Sequence, residues 1–194
     1  MSQVEKKFVN SKKHGERNIQ LFEHLKNKLD ISSINNVLEI GCGVGILATH
    51  FSEKYNMNVI GIDVDPEQIK LAKEHQKEKE NRQFKVADAS NLEFSENQQF
   101  DLAVSTFVLH HIPNWDEVLS EIERVLKPKG YYIFHDITYP KTLTKIFRPI
   151  AKKYGVYTAQ EISEFLSEKG FTIIHQETQK HAIFKMYTTI FQKQ

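Results

Sequence analysis

A chain of 194 residues with 40% apolar and 26% charged side chains has the make-up of a globular protein long enough to bury a core as one domain. Its 26 Lys and Arg against 25 Asp and Glu, a net charge of +1, give no bulk electrostatic pull toward nucleic acid or anionic membrane. A lone cysteine, Cys42, excludes an internal disulfide and a multi-cysteine zinc site; with a polar N-terminus and no apolar run of about 18 residues, it predicts a cytoplasmic protein without a membrane span.

Residues 1–15 are polar, with Lys6, Lys7, Lys12, Lys13 and His14, and read as an arm. Ile19, Phe22, Leu25 and Leu29 then fall at near-helical spacing, predicting an amphipathic helix from Glu16, so that residues 1–30 form an N-terminal arm and helix. After a loop over 31–36, Val37 to Ile40 suits a buried strand that runs straight into Gly41, Gly43 and Gly45, with an amphipathic segment, Ile46 to Tyr55, behind it. Alternate glycines let the backbone take positive φ and let a ligand lie against bare main chain, while the first amides of the next helix point at it. A nucleoside-type cofactor is the expected occupant; a tight turn with no ligand is the plain alternative.

A second strand, Asn58 to Ile62, ends in Asp63, and Asp65 with Pro66 predicts an N-cap followed by proline at the first helical position. That helix dissolves into the charge run Lys73 to Glu80, read as a solvated face and loop. Phe84 to Ala87 predicts a third strand leading to Asp88 and Ala89, and Phe100 to Thr106 a fourth. Trp115, Val118, Leu119, Ile122, Val125 and Leu126 place a stripe on one helix, with Asn114 and Glu117 expected to cap its start reciprocally and Pro128 to Gly130 to end it. Tyr131 to Ile137 follows as a fifth strand. Thr158 and Glu161 predict a capping box for a helix closing at Gly170, and strands over about Phe171–Thr178 and Ala182–Phe191 finish the chain as a hairpin.

Strands alternating with helices, then a closing antiparallel pair, predict an α/β fold in one domain spanning 1–194: a three-layer α/β/α sandwich on a seven-stranded, mostly parallel, Rossmann-like sheet with an antiparallel last strand. Ligands of such sheets sit beyond the carboxyl ends of the strands. Those ends hold Glu39 with Gly41 to Gly45, then Asp63, then Asp88 and Ala89, then Ser105 to His111, then His135 and Asp136.

Here the sequence resembles the class I S-adenosylmethionine-dependent methyltransferases, from about Val37 to the C-terminus. The family's glycine motif matches Glu39 to Gly45, its acidic strand end Gly61 to Asp63, its third motif Ala87 to Ala89 and its fourth Phe100 to Val104. Leu109 to Trp115, and Val125 to Gly130 running into a strand, are similar to the small-molecule branch that includes ubiquinone and menaquinone biosynthesis methyltransferases. The resemblance implies S-adenosyl-L-methionine as cofactor, held by Glu39, Gly41, Cys42, Gly43, Gly45, Asp63, Val64, Asp88, Ala89 and Ser105, and no metal. Asp63, 18 residues beyond Gly45, can accept both ribose hydroxyls; Asp88 can accept from the adenine amino group while the Ala89 amide donates to the ring. A helix cap or loop carboxylate is the alternative for each. An NAD-dependent oxidoreductase also uses an acid after strand two, but its fingerprint wants a glycine where Ile46 stands.

Transfer from a sulfonium is an in-line displacement on an activated carbon, so alignment supplies much of the rate and a base serves only a protonated nucleophile. Candidate bases are His110 first, then His111, with His135 and Asp136 behind them; a structural hydrogen-bonding role is the alternative for each histidine. After strand four stands Ser105 to Val108 rather than the prolines and aromatic typical of enzymes methylating base amines, and Cys42 lies far from where a cytosine-methylating thiol belongs, which argues against nucleic acid. The expected partner is a small-molecule acceptor, anionic or lipophilic, methylated on oxygen, nitrogen or carbon; a non-catalytic cofactor-binding module is the other reading. Tyr139 to Tyr157 reads as a substrate lid. In it Lys141, Lys145, Arg148 and Lys152 stand opposite Leu143, Ile146, Phe147 and Ile150 on a basic amphipathic helix kinked at Pro149, suited to an anionic substrate, to peripheral membrane contact or simply to solvent. Tyr139, Phe147, Tyr154 and Tyr157 either line an acceptor pocket or pack in the core.

Overall fold

The structure, a computed structural model, describes residues 12–95, 99–180 and 184–194. Most of the arm predicted over 1–15 and the start of the last predicted strand lie outside them. Seven strands run in the order β3-β2-β1-β4-β5-β7-β6, and the chain divides into two compact units after Ala89.

In the first unit, helix α1 (Lys12–Leu25) starts four residues before the expected Glu16 and is followed by 3-10 turns at Lys26–Lys28 and Ile31–Ser33. Strand β1 (Asn36–Ile40), helix α2 (Ile46–Lys54), strand β2 (Asn58–Asp63), helix α3 (Pro66–Gln76) and strand β3 (Arg82–Val86) complete it. β1 pairs parallel with β2, Val37 beside Val59 and Ile40 beside Ile62, and β2 parallel with β3. Val37, Leu38, Ile40, Val59, Ile62 and Phe84 are buried, so these strands read as continuous apolar runs because both faces of a parallel sheet are covered. α1 and α2 are clasped at one carboxylate: Glu23 accepts from His50, Lys54 and Tyr55 of the second helix and its neighbourhood. The buried Arg82 guanidinium closes the end of α3, reaching the carbonyls of Gln76 and Lys77 and the Ser52 hydroxyl. Asp65 caps α3 through the Glu67 amide with Pro66 at its first position, as its sequence predicts.

In the second unit, strand β4 (Phe100–Thr106), helix α4 (Trp115–Val125), strand β5 (Leu126–Thr138), helix α5 (Lys141–Phe147), helix α6 (Ala159–Glu168), strand β6 (Phe171–Lys180) and strand β7 (Lys185–Lys193) follow in order. β4 and β5 are parallel; β7 runs antiparallel to both β5 and β6. α4 buries Val118, Leu119, Ile122 and Val125 of the predicted stripe, whereas Leu126, predicted on the helix, is the first residue of β5. Three expectations change. β5 begins at Leu126 rather than Tyr131, because Pro128 to Gly130 runs on as an irregular strand that shifts register against β4 between Phe100 and Leu102, with Lys129 at φ 66°. Asn114 makes no side-chain cap: its amide donates to the Glu117 carboxylate at 2.5 Å instead of accepting a backbone amide. The segment after β5 is a helix of only seven residues that stops before Pro149, and its buried side chain is Thr144, while Ile146, Phe147 and Ile150 are exposed. The capping box at Thr158 and Glu161 forms in full. Tyr157 belongs to the core, its ring near Trp115 and Phe134.

Candidate active site

The first unit gathers the residues predicted to hold the cofactor at the carboxyl ends of β1, β2 and β3. Gly41, Gly43 and Gly45 take φ of 67°, 51° and 76°, a conformation that L side chains rarely adopt, and a Cβ on Gly45 would in addition meet the Phe84 ring at 2.5 Å. The loop is tied down from two sides: the Cys42 amide donates to the Ile62 carbonyl at 2.9 Å, and the Gly43 amide to Asp63 Oδ2 at 3.0 Å. Asp63 Oδ1 accepts from the Asp65 amide at 2.9 Å, so both oxygens of this carboxylate take part in backbone hydrogen bonds. Beside it Val64 is 70% exposed, an apolar side chain held out at a strand end; Asp88 is exposed and Ala89 buried. Cys42 is a buried thiol whose pKa burial pushes up, with Glu39 and Asp63 adding to the effect, so it packs rather than reacts.

Glu39 is the unusual member. It is buried, its Oε2 makes no hydrogen bond, and burial pushes its pKa up to about 8 against the opposing backbone bond at Ala48 and with help from Asp63. A buried carboxyl with one unengaged oxygen suits a ligand that brings a cationic donor, because such a donor supplies both the missing bond and the missing charge.

The second unit builds a different kind of cluster. β4 is followed by Phe107, a non-glycine residue at φ 58°, and then by a 3-10 turn, Leu109–His111. The buried Asp136 of β5 organises this turn: Oδ2 accepts from the amides of Val108 and His110 at 3.1 and 3.2 Å, and Oδ1 accepts from the Ile137 amide at 2.7 Å and lies 2.5 Å from His110 Nδ1. Burial raises the Asp136 pKa, but the His110 charge and these hydrogen bonds outweigh it, and the net shift is downward. With Nδ1 engaged, His110 has Nε2 left for chemistry. His111 lies with its ring centroid 4.0 Å from that of His110. His135 is engaged elsewhere, its Nδ1 2.7 Å from the Thr188 hydroxyl, and its ring is 4.8 Å from Phe107. Ser105 is buried with its hydroxyl 2.7 Å from that of Tyr132, so its side chain is spent inside the sheet. The segment predicted as a lid is fastened to the turn at its far end: Gly155 donates to the His110 carbonyl at 3.0 Å, and a Cβ there would lie 2.1 Å from the Leu109 carbonyl oxygen. Tyr154 approaches His111, and Tyr139 donates to the Tyr157 carbonyl at 2.9 Å.

The sequence left three of these features unmarked. Phe107 carries its strain in a dihedral, Thr188 is 53 residues from His135, and the Asp136 to His110 bond spans 26 residues.

Residues 38–134, half of the chain, match the family described as a methyltransferase domain. The chain belongs to that family. S-adenosyl-L-methionine is the cofactor that goes with it. Among relatives, this methyltransferase domain is 32% identical over 143 residues to the methyltransferase GfsG of Streptomyces halstedii, covering 72% of the chain and 50% of the relative. It is 29% identical over 134 residues to the demethylmenaquinone methyltransferase of Staphylococcus saprophyticus, covering 68% and 56%. The chain thus spans about half the length of these curated relatives. Among solved structures, the PH0226 protein of Pyrococcus horikoshii superimposes with a TM-score of 0.74 at 26% identity, over 96% of this chain and 93% of that one. The methyltransferase domain carries no helix, among the described residues, that is long and apolar enough to cross a membrane.

Proposed function

We propose that this chain transfers the methyl group of S-adenosyl-L-methionine to oxygen, nitrogen or carbon of a small-molecule acceptor. When bound, the cofactor supplies a methyl group on a sulfonium, a carbon already activated for in-line displacement. Glu39 binds the ammonium of its methionine part, and the bare main chain of Gly41, Cys42, Gly43 and Gly45 gives that part room. Asp63 accepts from the ribose hydroxyls, and Val64 offers an apolar face to the adenine ring. Asp88 and the Ala89 amide take the adenine edge. The observation that carries this reading is the unengaged, buried Oε2 of Glu39 at the foot of a loop with three positive-φ glycines: a ligand with a cationic end completes it.

On the acceptor side, His110 is the group that takes a proton when the nucleophile carries one, through Nε2. Asp136 is a positioning residue that fixes the ring and stabilises its protonated form, as a carboxylate behind a catalytic imidazole does in hydrolases. His135 and Ser105, engaged with Thr188 and Tyr132, have structural roles in this reading.

Titration calorimetry with S-adenosylhomocysteine tests the donor site. Asp63→Asn should weaken binding at least about tenfold, the loss of one charge-assisted acceptor pair; an unchanged affinity overturns the ribose assignment, and no binding at millimolar concentration overturns the reading as a whole. Binding without formation of S-adenosylhomocysteine over a panel of metabolites would favour a non-catalytic module.

A further inference from the structure

Between Tyr139 and Gln160 the chain carries five cationic side chains, Lys141, Lys145, Arg148, Lys152 and Lys153, and no carboxylate, whereas its overall net charge is only +1. Arg148 is used internally: its guanidinium donates to both oxygens of Glu161 at 2.8 Å and to the Val156 carbonyl at 3.0 Å, holding the end of α5 against α6. The four lysines are exposed, and among the described residues no carboxylate pairs with them. Interleaved with them are Ile146, Phe147, Ile150 and Tyr154, exposed by 58, 43, 77 and 53%. A helix this size normally turns such residues inward; here Thr144 takes the inward position and the apolar side chains stand in water. The neighbouring groove, lined by Lys141, Thr144, Lys145, Arg148, Glu161 and Glu164 among others, takes in none of the four apolar residues, while Lys152 and Lys153 lie outside it.

We propose that this surface docks on an anionic lipid bilayer, Ile146, Phe147 and Ile150 entering the boundary between headgroups and acyl chains while Lys141, Lys145, Lys152 and Lys153 lie over the headgroup anions. Charge decides the occupant. Two copies of the patch facing each other across a two-fold axis would set like charges together, which opposes self-association, whereas a bilayer supplies negative charge and an apolar layer at once and needs no shape complement. The Arg148 to Glu161 clasp keeps the segment presented outward, and Tyr154 links it to His111, so the docked face adjoins the histidine turn. The inference does not rest on methyl transfer, because association is measured without turnover.

The test is cosedimentation of the full chain with vesicles of phosphatidylcholine alone and of phosphatidylcholine with about a third phosphatidylglycerol, at low and moderate salt. Binding is expected only with the anionic vesicles and should weaken as salt rises. A Lys141→Gln, Lys145→Gln, Lys152→Gln, Lys153→Gln variant should lose about 600-fold in affinity, since each lysine near an anionic surface is worth a factor of about five. Ile146→Ser with Ile150→Ser should lose at least about tenfold while keeping the thermal midpoint, since both side chains are exposed in the free protein. Equal association with both vesicle types, no association with either, or anionic binding untouched by both variants overturns the proposal. So does a concentration-dependent dimer, in the absence of lipid, that the Ile146→Ser, Ile150→Ser variant abolishes, since that would assign the face to a second copy.

Discussion

In the proposed donor site, Glu39 is the residue that would couple cofactor binding to pH. Burial pushes its pKa from the ordinary 4.5 up to about 8, so the free protein holds a proton there at neutral pH that the unfolded chain does not. The stability linked to that proton is fully present below 4.5 and is lost as pH climbs through about 8. A ligand ammonium beside the carboxylate reverses the preference and expels the proton. Binding of S-adenosylhomocysteine at pH 7 is therefore expected to release about one proton and to tighten as pH rises toward 8. Calorimetry in two buffers of different ionisation enthalpy measures the release, and Glu39→Gln should abolish it; equal enthalpies for the unsubstituted protein would remove Glu39 from the ammonium site. Asp136 behaves oppositely: its lowered pKa makes its contribution present above the unfolded value and lost as pH falls through the folded one. For the reaction, His110→Gln is expected to cut turnover of a protonated acceptor by about 100-fold or more, the usual worth of a positioned base, with cofactor affinity retained. Asp136→Asn should lower turnover and move the acid limb of the pH profile, which a purely structural role would leave in place.

At the scale of elements, the segment from Tyr139 to Tyr157 and the histidine turn behave as one piece because Gly155 lies flat against the Leu109 carbonyl. Gly155→Ala must push that carbonyl or the segment away, since the added Cβ would sit 2.1 Å from it. A cost of about 1–3 kcal/mol is expected in urea unfolding, typical of overpacking, together with a loss of turnover larger than any loss of cofactor affinity. Which elements could be foreseen follows from where their signals lie. The glycine turn, the Asp65 cap and the Thr158 to Glu161 box are local patterns of a few residues, and they stand where the sequence puts them. β5 starts earlier than its sequence suggests, because Pro128, Lys129 and Gly130 carry a turn signature, yet the strand beside β4 runs on through them irregularly. Asn114 and Glu117 have the spacing of a cap, and the two side chains satisfy each other instead of the helix end. For α5 the periodicity of Leu143, Ile146, Phe147 and Ile150 was visible, but periodicity does not say which face the core will take. The site divides in the same way: strand-end residues were legible in order, while the His110 to Asp136 bond, made by residues 26 apart, waits on the register of two strands.

For the whole molecule, the residues proposed to hold the cofactor all belong to the first unit and the histidine turn to the second. Saturation with S-adenosylhomocysteine should stabilise the protein by about 2.7 kcal/mol at a hundredfold excess over Kd, visible as a raised unfolding temperature. Hydrogen exchange should slow around residues 39–45, 63–65 and 88–89, which the proposed contacts cover, and stay unchanged over Lys141–Phe147, which no proposed cofactor contact touches. Protection confined to the second unit would contradict the donor-site assignment.

The burial of Cys42 has a practical side. Because this one thiol is enclosed and held protonated, the native protein presents nothing for a maleimide or a spin label to modify. Any cysteine added on the surface then becomes a unique chemical handle, with no need to remove the natural one from the cofactor loop. Placed through Ile150→Cys, a polarity-sensitive dye would sit on the exposed apolar face and report, by its emission colour alone, whether that face is in water or in lipid.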